Sequence, residues 1–230
     1  MRSVILIFGL FALLFRPGTS AAEAQTPPFP APQSSHSGGV QVDAIAVRIE
    51  DDVLTESEVR ELAGFQQLVD GRAKDDAAIL RELADQWIVR GEANTAKYPH
   101  PSPADVDRAY AQLVKQFPSA EDFLARCAAA GLTEAAVRRM LEQQLYLSRF
   151  IDFRFRPAAQ VDDKQVEIYY NEEFAPQLKA RGQEVPPLDS VADTIREVLI
   201  QRGINDRAAK WLDDARSHLK IDVESPGAGR

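Results

Sequence analysis

One long amphipathic stretch, residues 133–156 (TEAAVRRMLEQQLYLSRFIDFRFR), constrains the fold of this chain more than any other. Thr133 is a good N-cap, Glu134 follows where the helix dipole favours an acid, and Pro157 cannot continue the helix. Apolar residues recur every three or four positions between these ends, which predicts one helix of about six turns with a wide apolar face. These residues are Val137, Met140, Leu141, Leu145, Leu147 and Ile151.

The end of this helix, FIDFRFR, carries three phenylalanines that cannot all lie on one narrow face, because neighbouring positions diverge by about 100° per residue. They either lie between two packed layers or face a groove. More aromatic residues follow in the next predicted helix, and large aromatic side chains are usually buried. The six candidates for an apolar peptide-binding groove, each with burial in the core as the competing expectation, are Phe150, Phe153, Phe155, Tyr169, Tyr170 and Phe174.

Residues 1–24 have the composition of a secretory signal peptide. Arg2 supplies a positive charge, residues 4–15 are an unbroken apolar run, and the sequence AEA at 22–24 fits a cleavage site. The run is shorter than the roughly 20 residues that cross a bilayer. We therefore expect export to the periplasm, cleavage, and no stable membrane insertion afterwards. An uncleaved anchor is the alternative, because Arg16 is unusual just before a cleavage site.

Composition and charge narrow the function classes. With 45% apolar and 27% charged residues the chain resembles an ordinary globular protein. A net charge of −8 argues against nucleic acid or anionic membrane as the main partner, because both select basic surfaces. The single Cys127 cannot form an intramolecular disulfide. The three histidines lack ligand spacing and no phosphate-loop or hydrolase motif occurs, so we expect no metal, no cofactor and no catalytic residue.

Strand and linker signals frame the helical region. Residues 25–41 are rich in proline, serine and glycine and predict a disordered linker, and residues 224–230 predict a disordered tail. Residues 42–49 alternate in the manner of a β-strand, and residues 53–54 predict a short return strand. We therefore expect a mainly α fold with a minimal sheet made from chain regions far apart in sequence.

Helix boundaries are predicted by capping residues and by prolines and glycines. Thr55 begins a capping box, Ser102 precedes a proline at the first helical position, and residues 162–165 form a third start signal. Pro176 and the polar residues after it are expected to end the helix that begins at 162. Gly203 is expected to interrupt the final helix.

Taken in order, the elements resemble the N-terminal chaperone domain of SurA-like periplasmic proteins, the family of exported parvulin-type peptidyl-prolyl isomerases. The likeness covers about residues 42–223, and its specificity lies in the order of the motifs, since each alone is a capped amphipathic helix. The motifs are VDAIAVRIEDDVLTESEV, LRELADQWIVRGEA, SPADVDRAYAQLVKQF, SAEDFLARCAAAGLTEAAVRRMLEQQLYLSRFI, VDDKQVEIYYNEEF and LDSVADTIREVLIQRGINDRAAKWLDDARSHLKIDV.

The resemblance implies an architecture. Residues 42–157 correspond to the N-terminal chaperone-like helical domain, and residues 158–223 return to complete the same module. In such an arrangement residues 220–223 pair with the strand at 42–49, and the helix that carries Trp211 packs on the long helix. Family members with isomerase activity carry a parvulin domain before that returning helix. Here only seventeen residues, 171–187, lie there, fewer than the roughly 50 that a domain needs.

The function that the resemblance implies is that of an exported, non-catalytic chaperone. Its expected partners are unfolded or extended polypeptides, including outer-membrane proteins, bound through the aromatic groove described above. Prolyl cis–trans isomerisation is an alternative by family likeness, although the parvulin segment that would catalyse it is missing. A structural or adaptor protein with one dedicated periplasmic partner is another. The oligomeric state, including exchange of the returning helix between protomers, is left open by the sequence.

Overall fold

The computed structural model describes residues 43–72 and 74–223. This part of the chain is mainly helical and carries a small three-stranded antiparallel sheet, which confirms the predicted fold class. The predicted signal peptide at 1–24, linker at 25–41 and tail at 224–230 lie outside the described residues. Within the described ranges no helix combines the length and the apolar character needed to cross a membrane.

The helices follow one another with short connections. Their bounds are α1 Glu56–Asp70, α2 Asp76–Thr95, α3 Pro103–Val114, α4 Ala120–Ala129, α5 Glu134–Phe155, α6 Asp163–Tyr169, α7 Ala175–Ala180 and α8 Leu188–Ser217. A short 3-10 turn, Arg156–Ala158, follows α5, and a π-helical turn, Tyr170–Phe174, joins α6 to α7.

Local capping explains where most of these helices begin. The Thr55 and Ser102 hydroxyls each accept a hydrogen bond from the backbone three residues on, and acidic side chains at those positions return the contact. Asp162 makes the same reciprocal arrangement with Gln165 at the start of α6. Thr133 caps α5 through the Ala136 amide at 3.1 Å. These contacts satisfy orphan amides of the first turn and were predicted correctly because they span only three residues.

The sheet joins the two ends of the described chain. Its strands are β1 Ile45–Ile49, β2 Asp52–Thr55 and β3 Ile221–Val223, in the spatial order β2-β1-β3. Ile49 of β1 lies opposite Ile221, and the Glu50 amide donates to the Lys220 carbonyl at 3.0 Å. The expected pairing of residues 220–223 with the first strand is therefore confirmed. That strand begins at Ile45, and a register shift between Ile45 and Val47 interrupts the pairing with β2.

Helix α5 lies at the centre of the packing. One end of it meets α1, α3 and α4 around Phe123 and Val137, and the other end meets α2 and α8 around Phe150 and Ile204. A third group of buried residues lies between the sheet and helices α1 and α2. Trp211 of α8 contacts the end of α5, so the expected packing of the returning helix on the long helix is confirmed.

Two predicted helix breaks need correction. The helical backbone continues past Pro176 and ends at Ala180, within the polar residues that were also expected to end it. The wider π turn before Pro176 accommodates a residue that cannot donate and that clashes in an ordinary α turn. Helix α8 runs unbroken through Gly203. A Cβ at that position would lie 3.4 Å from the Cβ of Ala159, so the glycine lets the segment after α5 approach α8 closely.

Candidate functional site

The first of the six aromatic candidates, Phe150, belongs to the core. Its side chain is only 1% exposed and packs with Ile151, Ile204 and Leu212 between α5 and α8. It therefore offers no surface to a ligand, and its inclusion in a groove is wrong. Its ring instead supports Tyr98 at a centroid distance of 5.6 Å in an edge arrangement, a favourable geometry for two aromatic rings.

Phe153, one turn further along α5, lies at the surface. Its side chain is 62% exposed, the highest value among the exposed large apolar residues of the described chain. Its ring lies 5.3 Å from the ring of Tyr98, which follows the end of α2. We call Tyr98 and Phe153 together the aromatic patch. Because Tyr98 rests on the buried Phe150 and Tyr146, the patch has a rigid base.

The base of the aromatic patch continues into the turn after α2. The Tyr146 hydroxyl lies 3.1 Å from Oδ1 of Asn94, and burial raises the pKa of Tyr146 above its ordinary value. The His100 ring stacks on the Tyr146 ring at 4.2 Å, with the two planes 2° apart. These contacts join the end of α2 to the middle of α5, so the position of Tyr98 is determined by packing.

Ion pairs surround the end of α5. Arg156 donates to Asp152 at 2.8 Å and to Glu197 of α8 at 2.7 Å, and the second of these hydrogen bonds holds the pKa of Glu197 below its ordinary value. Arg154 donates to Glu92 of α2 at 3.0 Å. The pairs are partly exposed, so each stabilises the fold little. Together they connect the last turn of α5 to both neighbouring helices.

Phe155 takes a third environment. It is half-buried, and its ring lies 5.7 Å from the ring of Trp211. The Arg154 guanidinium covers the same indole at 4.9 Å from its centre. Phe155 therefore connects α5 to α8 and presents only part of its ring to solvent. The three phenylalanines at the end of α5 are thus divided between core, surface and helix interface.

The later aromatic candidates lie near a separate groove. Tyr170 and Phe174 stack at 5.9 Å on the π turn, and the Tyr170 hydroxyl donates to the Pro186 carbonyl at 2.8 Å. Both are half-buried, and the hydrogen bond of Tyr170 holds the loop before α8. Tyr169 instead lines a groove of about 340 Å³ between α6 and α8. We call this the α6–α8 groove, and its other apolar lining residues are Ala159, Val161, Ile168 and Leu199.

Charged residues of both signs line the α6–α8 groove. Arg202 makes two hydrogen bonds of 3.1 Å to Glu173, which hold the pKa of that carboxyl below its ordinary value. The same guanidinium lies 5.2 Å from the ring centre of Tyr169, within the range of a cation–π contact. The groove therefore combines an apolar floor with a neutral ion pair, and it resembles a shallow contact surface more than a catalytic pocket.

The structure does not bring the six candidates into one groove. Phe153 forms the aromatic patch, Tyr169 lines the α6–α8 groove, and the other four pack against the protein itself. Sequence reasoning missed Tyr98, whose position in a proline-bounded turn next to an amphipathic helix was the available signal. It also missed Ile168, which is exposed beside Tyr169. In the described part of the chain, no cluster of three or more histidine, cysteine or acidic residues is placed to hold a metal.

Comparison with known proteins assigns no family to these surfaces. No family model matches the chain, and a search of the curated proteins finds no match. The SurA-like resemblance therefore stays a prediction from the order of the motifs.

Proposed function

We propose that this protein is an exported holdase, a chaperone that binds unfolded envelope proteins without catalysis. The observation that carries the proposal is the exposure of Phe153 on a rigid aromatic base. A holdase needs apolar surface that accepts many sequences. Aromatic rings suit this need because they offer a large contact area at a low cost in side-chain entropy.

The size of the expected effect follows from the exposed area. Burying a whole large apolar side chain contributes roughly 1.5–3 kcal/mol. The 62% of Phe153 that is exposed therefore contributes about 1–2 kcal/mol when a client covers it. Since 1.4 kcal/mol corresponds to a factor of ten, its removal is expected to weaken client binding about tenfold.

Charge also supports this proposal. The chain carries a net charge of −8, and a net charge of this size keeps a protein and its complexes apart in solution. Among the described residues, the other exposed large apolar side chains are 43–50% exposed, so Phe153 has the largest exposed fraction. A client bound at the aromatic patch would thus form a complex with a strongly charged protein, which favours its solubility.

The test uses the chain from residue 25 onward, as expected after signal cleavage. An outer-membrane β-barrel protein, unfolded in urea, is diluted into buffer with increasing amounts of the chaperone, and light scattering reports aggregation. We expect suppression that saturates near equimolar amounts. The variant Phe153→Ala should need about ten times more protein for the same suppression.

Leu124→Ala is the matched control, because Leu124 is another exposed large apolar residue, 50% exposed on α4. It should suppress aggregation as well as the wild-type protein does. No suppression by the wild type at large excess would contradict the holdase proposal. Equal losses in the two variants would remove the aromatic patch as the binding site.

A further inference from the structure

A second cleft lies among helices α1, α2 and α5, away from the aromatic patch. It has a volume of about 250 Å³, below the roughly 300–1,000 Å³ of pockets that hold drug-sized ligands. It therefore has room for one amino-acid side chain with its peptide group, and it is too small for a cofactor. We call it the Gln86 cleft. Its apolar lining residues are Leu54, Leu62, Leu83, Trp87 and Met140.

The walls of the Gln86 cleft are held in place by the fold. Leu54, Leu62 and Leu83 belong to the buried group between the sheet and helices α1 and α2. The Trp87 indole donates to the Asp52 carboxylate at 2.8 Å, which fixes the orientation of its ring. The apolar wall of the cleft is therefore preformed, and an entering side chain would require little rearrangement.

A part-buried amide pair faces this cleft. Gln86 is 7% exposed, and its Oε1 accepts a hydrogen bond from Nε2 of Gln143 at 2.8 Å. Both residues line the cleft. Among the described residues, neither Nε2 of Gln86 nor Oε1 of Gln143 has a hydrogen-bonding partner. The pair thus has one N–H donor and one carbonyl acceptor that are free to bind a ligand. If both amides are flipped, one donor and one acceptor are still free.

The rim adds one cation, Arg90, that forms no ion pair with the described residues. Glu61 pairs with Arg139 at 2.9 Å, and the Glu58 carboxylate accepts the Thr55 amide at 2.8 Å within the α1 capping box. Arg90 lines the same rim, and no acid of residues 43–72 and 74–223 forms an ion pair with it. An acidic group that enters beside the cleft would find Arg90 available.

From these contacts we infer that the Gln86 cleft binds one residue of an extended peptide, an apolar side chain followed or preceded by an acidic residue. A peptide group carries one N–H donor and one carbonyl acceptor, which complement the free acceptor of Gln143 and the free donor of Gln86. The apolar side chain fills the space beside Trp87, and the neighbouring carboxylate pairs with Arg90. This goes beyond the proposed holdase function, because it assigns backbone recognition and charge preference to a different surface.

The test measures fluorescence anisotropy of a labelled ten-residue peptide of glycine and serine with one central Leu-Asp pair, at low salt. In two analogues the amide N–H of the leucine or of the aspartate is replaced by an ester oxygen. We expect the wild-type protein to bind at least one ester roughly three- to tenfold more weakly than the original peptide. The Gln86→Leu variant should bind the original peptide more weakly by a similar factor. A Leu-Lys peptide should bind the wild type more weakly than the Leu-Asp peptide.

Two variants keep the test independent of folding. Arg90→Ala changes an exposed residue and should abolish the preference for Leu-Asp over Leu-Lys, whereas Arg181→Ala, which removes the same charge elsewhere, should keep it. The inference is overturned if the Leu-Asp peptide binds no better than an all-glycine/serine peptide. It is also overturned if the esters, Gln86→Leu and Arg90→Ala all leave binding and preference unchanged.

The same protein samples separate this inference from the holdase proposal. Phe153→Ala should leave binding of the short peptide unchanged, because the aromatic patch and the Gln86 cleft share no residue. Peptide binding without suppression of aggregation would refute the holdase alone. Suppression of aggregation without peptide binding would refute the cleft alone.

Discussion

Two glycines inside helices predict opposite responses to the same substitution. A Cβ added at Gly64 of α1 would lie 2.5 Å from the carbonyl oxygen of Ala130, a backbone atom at the end of α4. A Cβ at Gly91 of α2 would have no atom within 4 Å outside its own helix. Glycine costs a helix interior about 1 kcal/mol relative to alanine, so Gly91→Ala should stabilise the protein by about 0.5–1 kcal/mol.

At Gly64 the same gain in helix propensity is outweighed by overlap. Carbon and oxygen at 2.5 Å cannot coexist, so α1 must move away from the turn between α4 and α5. Overpacking of this kind costs about 1–3 kcal/mol, and Leu132 on the same side is already 3.4 Å from the added carbon. After about 1 kcal/mol of helix propensity is subtracted, Gly64→Ala should destabilise the protein by up to about 2 kcal/mol.

Urea unfolding followed by far-ultraviolet circular dichroism measures both variants at one temperature. The two free energies of unfolding should differ by about 1–3 kcal/mol, or about 2–12 °C in Tm for a protein of this size. The dependence on urea should be the same for both variants, because neither changes the area exposed on unfolding. If Gly64→Ala were as stable as Gly91→Ala, α1 and the end of α4 could not approach each other as the structure has them.

Two further predictions concern charge and packing. Hydrogen bonds from Arg149 and from the Ser102 cap hold the pKa of Asp105 well below its usual range of about 4, so its contribution to stability is present above that pH and is lost on acidification. The loss of stability in Asp105→Asn at pH 7, measured by urea unfolding, should therefore shrink below about pH 4, and a constant difference down to pH 2.5 would contradict this assignment. Phe155→Ala removes a half-buried ring packed on Trp211 and should lower the free energy of unfolding by about 2 kcal/mol, below the 3–5 kcal/mol of a fully buried phenylalanine. An unchanged unfolding midpoint would show that Phe155 does not connect α5 to α8.

Much of the fold was predictable because its signals are local. The caps at Thr55, Ser102 and Asp162 bond within three residues, so their helices begin where the sequence indicates. The closure of the sheet by residues 220–223 is not local, and it was predicted from the resemblance to SurA-like proteins. Pro176 was misread because the relief it needs is a π turn, and a π turn leaves no simple mark in the residue pattern.

The candidate site was predicted less well, because exposure depends on which elements cover a side chain. Phe150, Phe153 and Phe155 lie within six residues of one helix. Helix α8 covers the first, the Tyr98 ring lies beside the second, and Trp211 covers part of the third. No spacing rule distinguishes these outcomes. Of the six residues of the predicted groove, the structure therefore places Phe153 in the aromatic patch and Tyr169 in the α6–α8 groove.

The sequence by itself determined where most helices begin and the acidic character of the protein, since caps and charge depend only on nearby residues and composition. Only the tertiary structure decided which surface remains open. Gln86 illustrates the reason. It is a polar residue between the buried Leu83 and Ile88 of α2, and its role is clear only when the fold brings Gln143 of α5 to 2.8 Å from it. Contacts between distant segments determine burial, and burial determines which side chains can meet a partner.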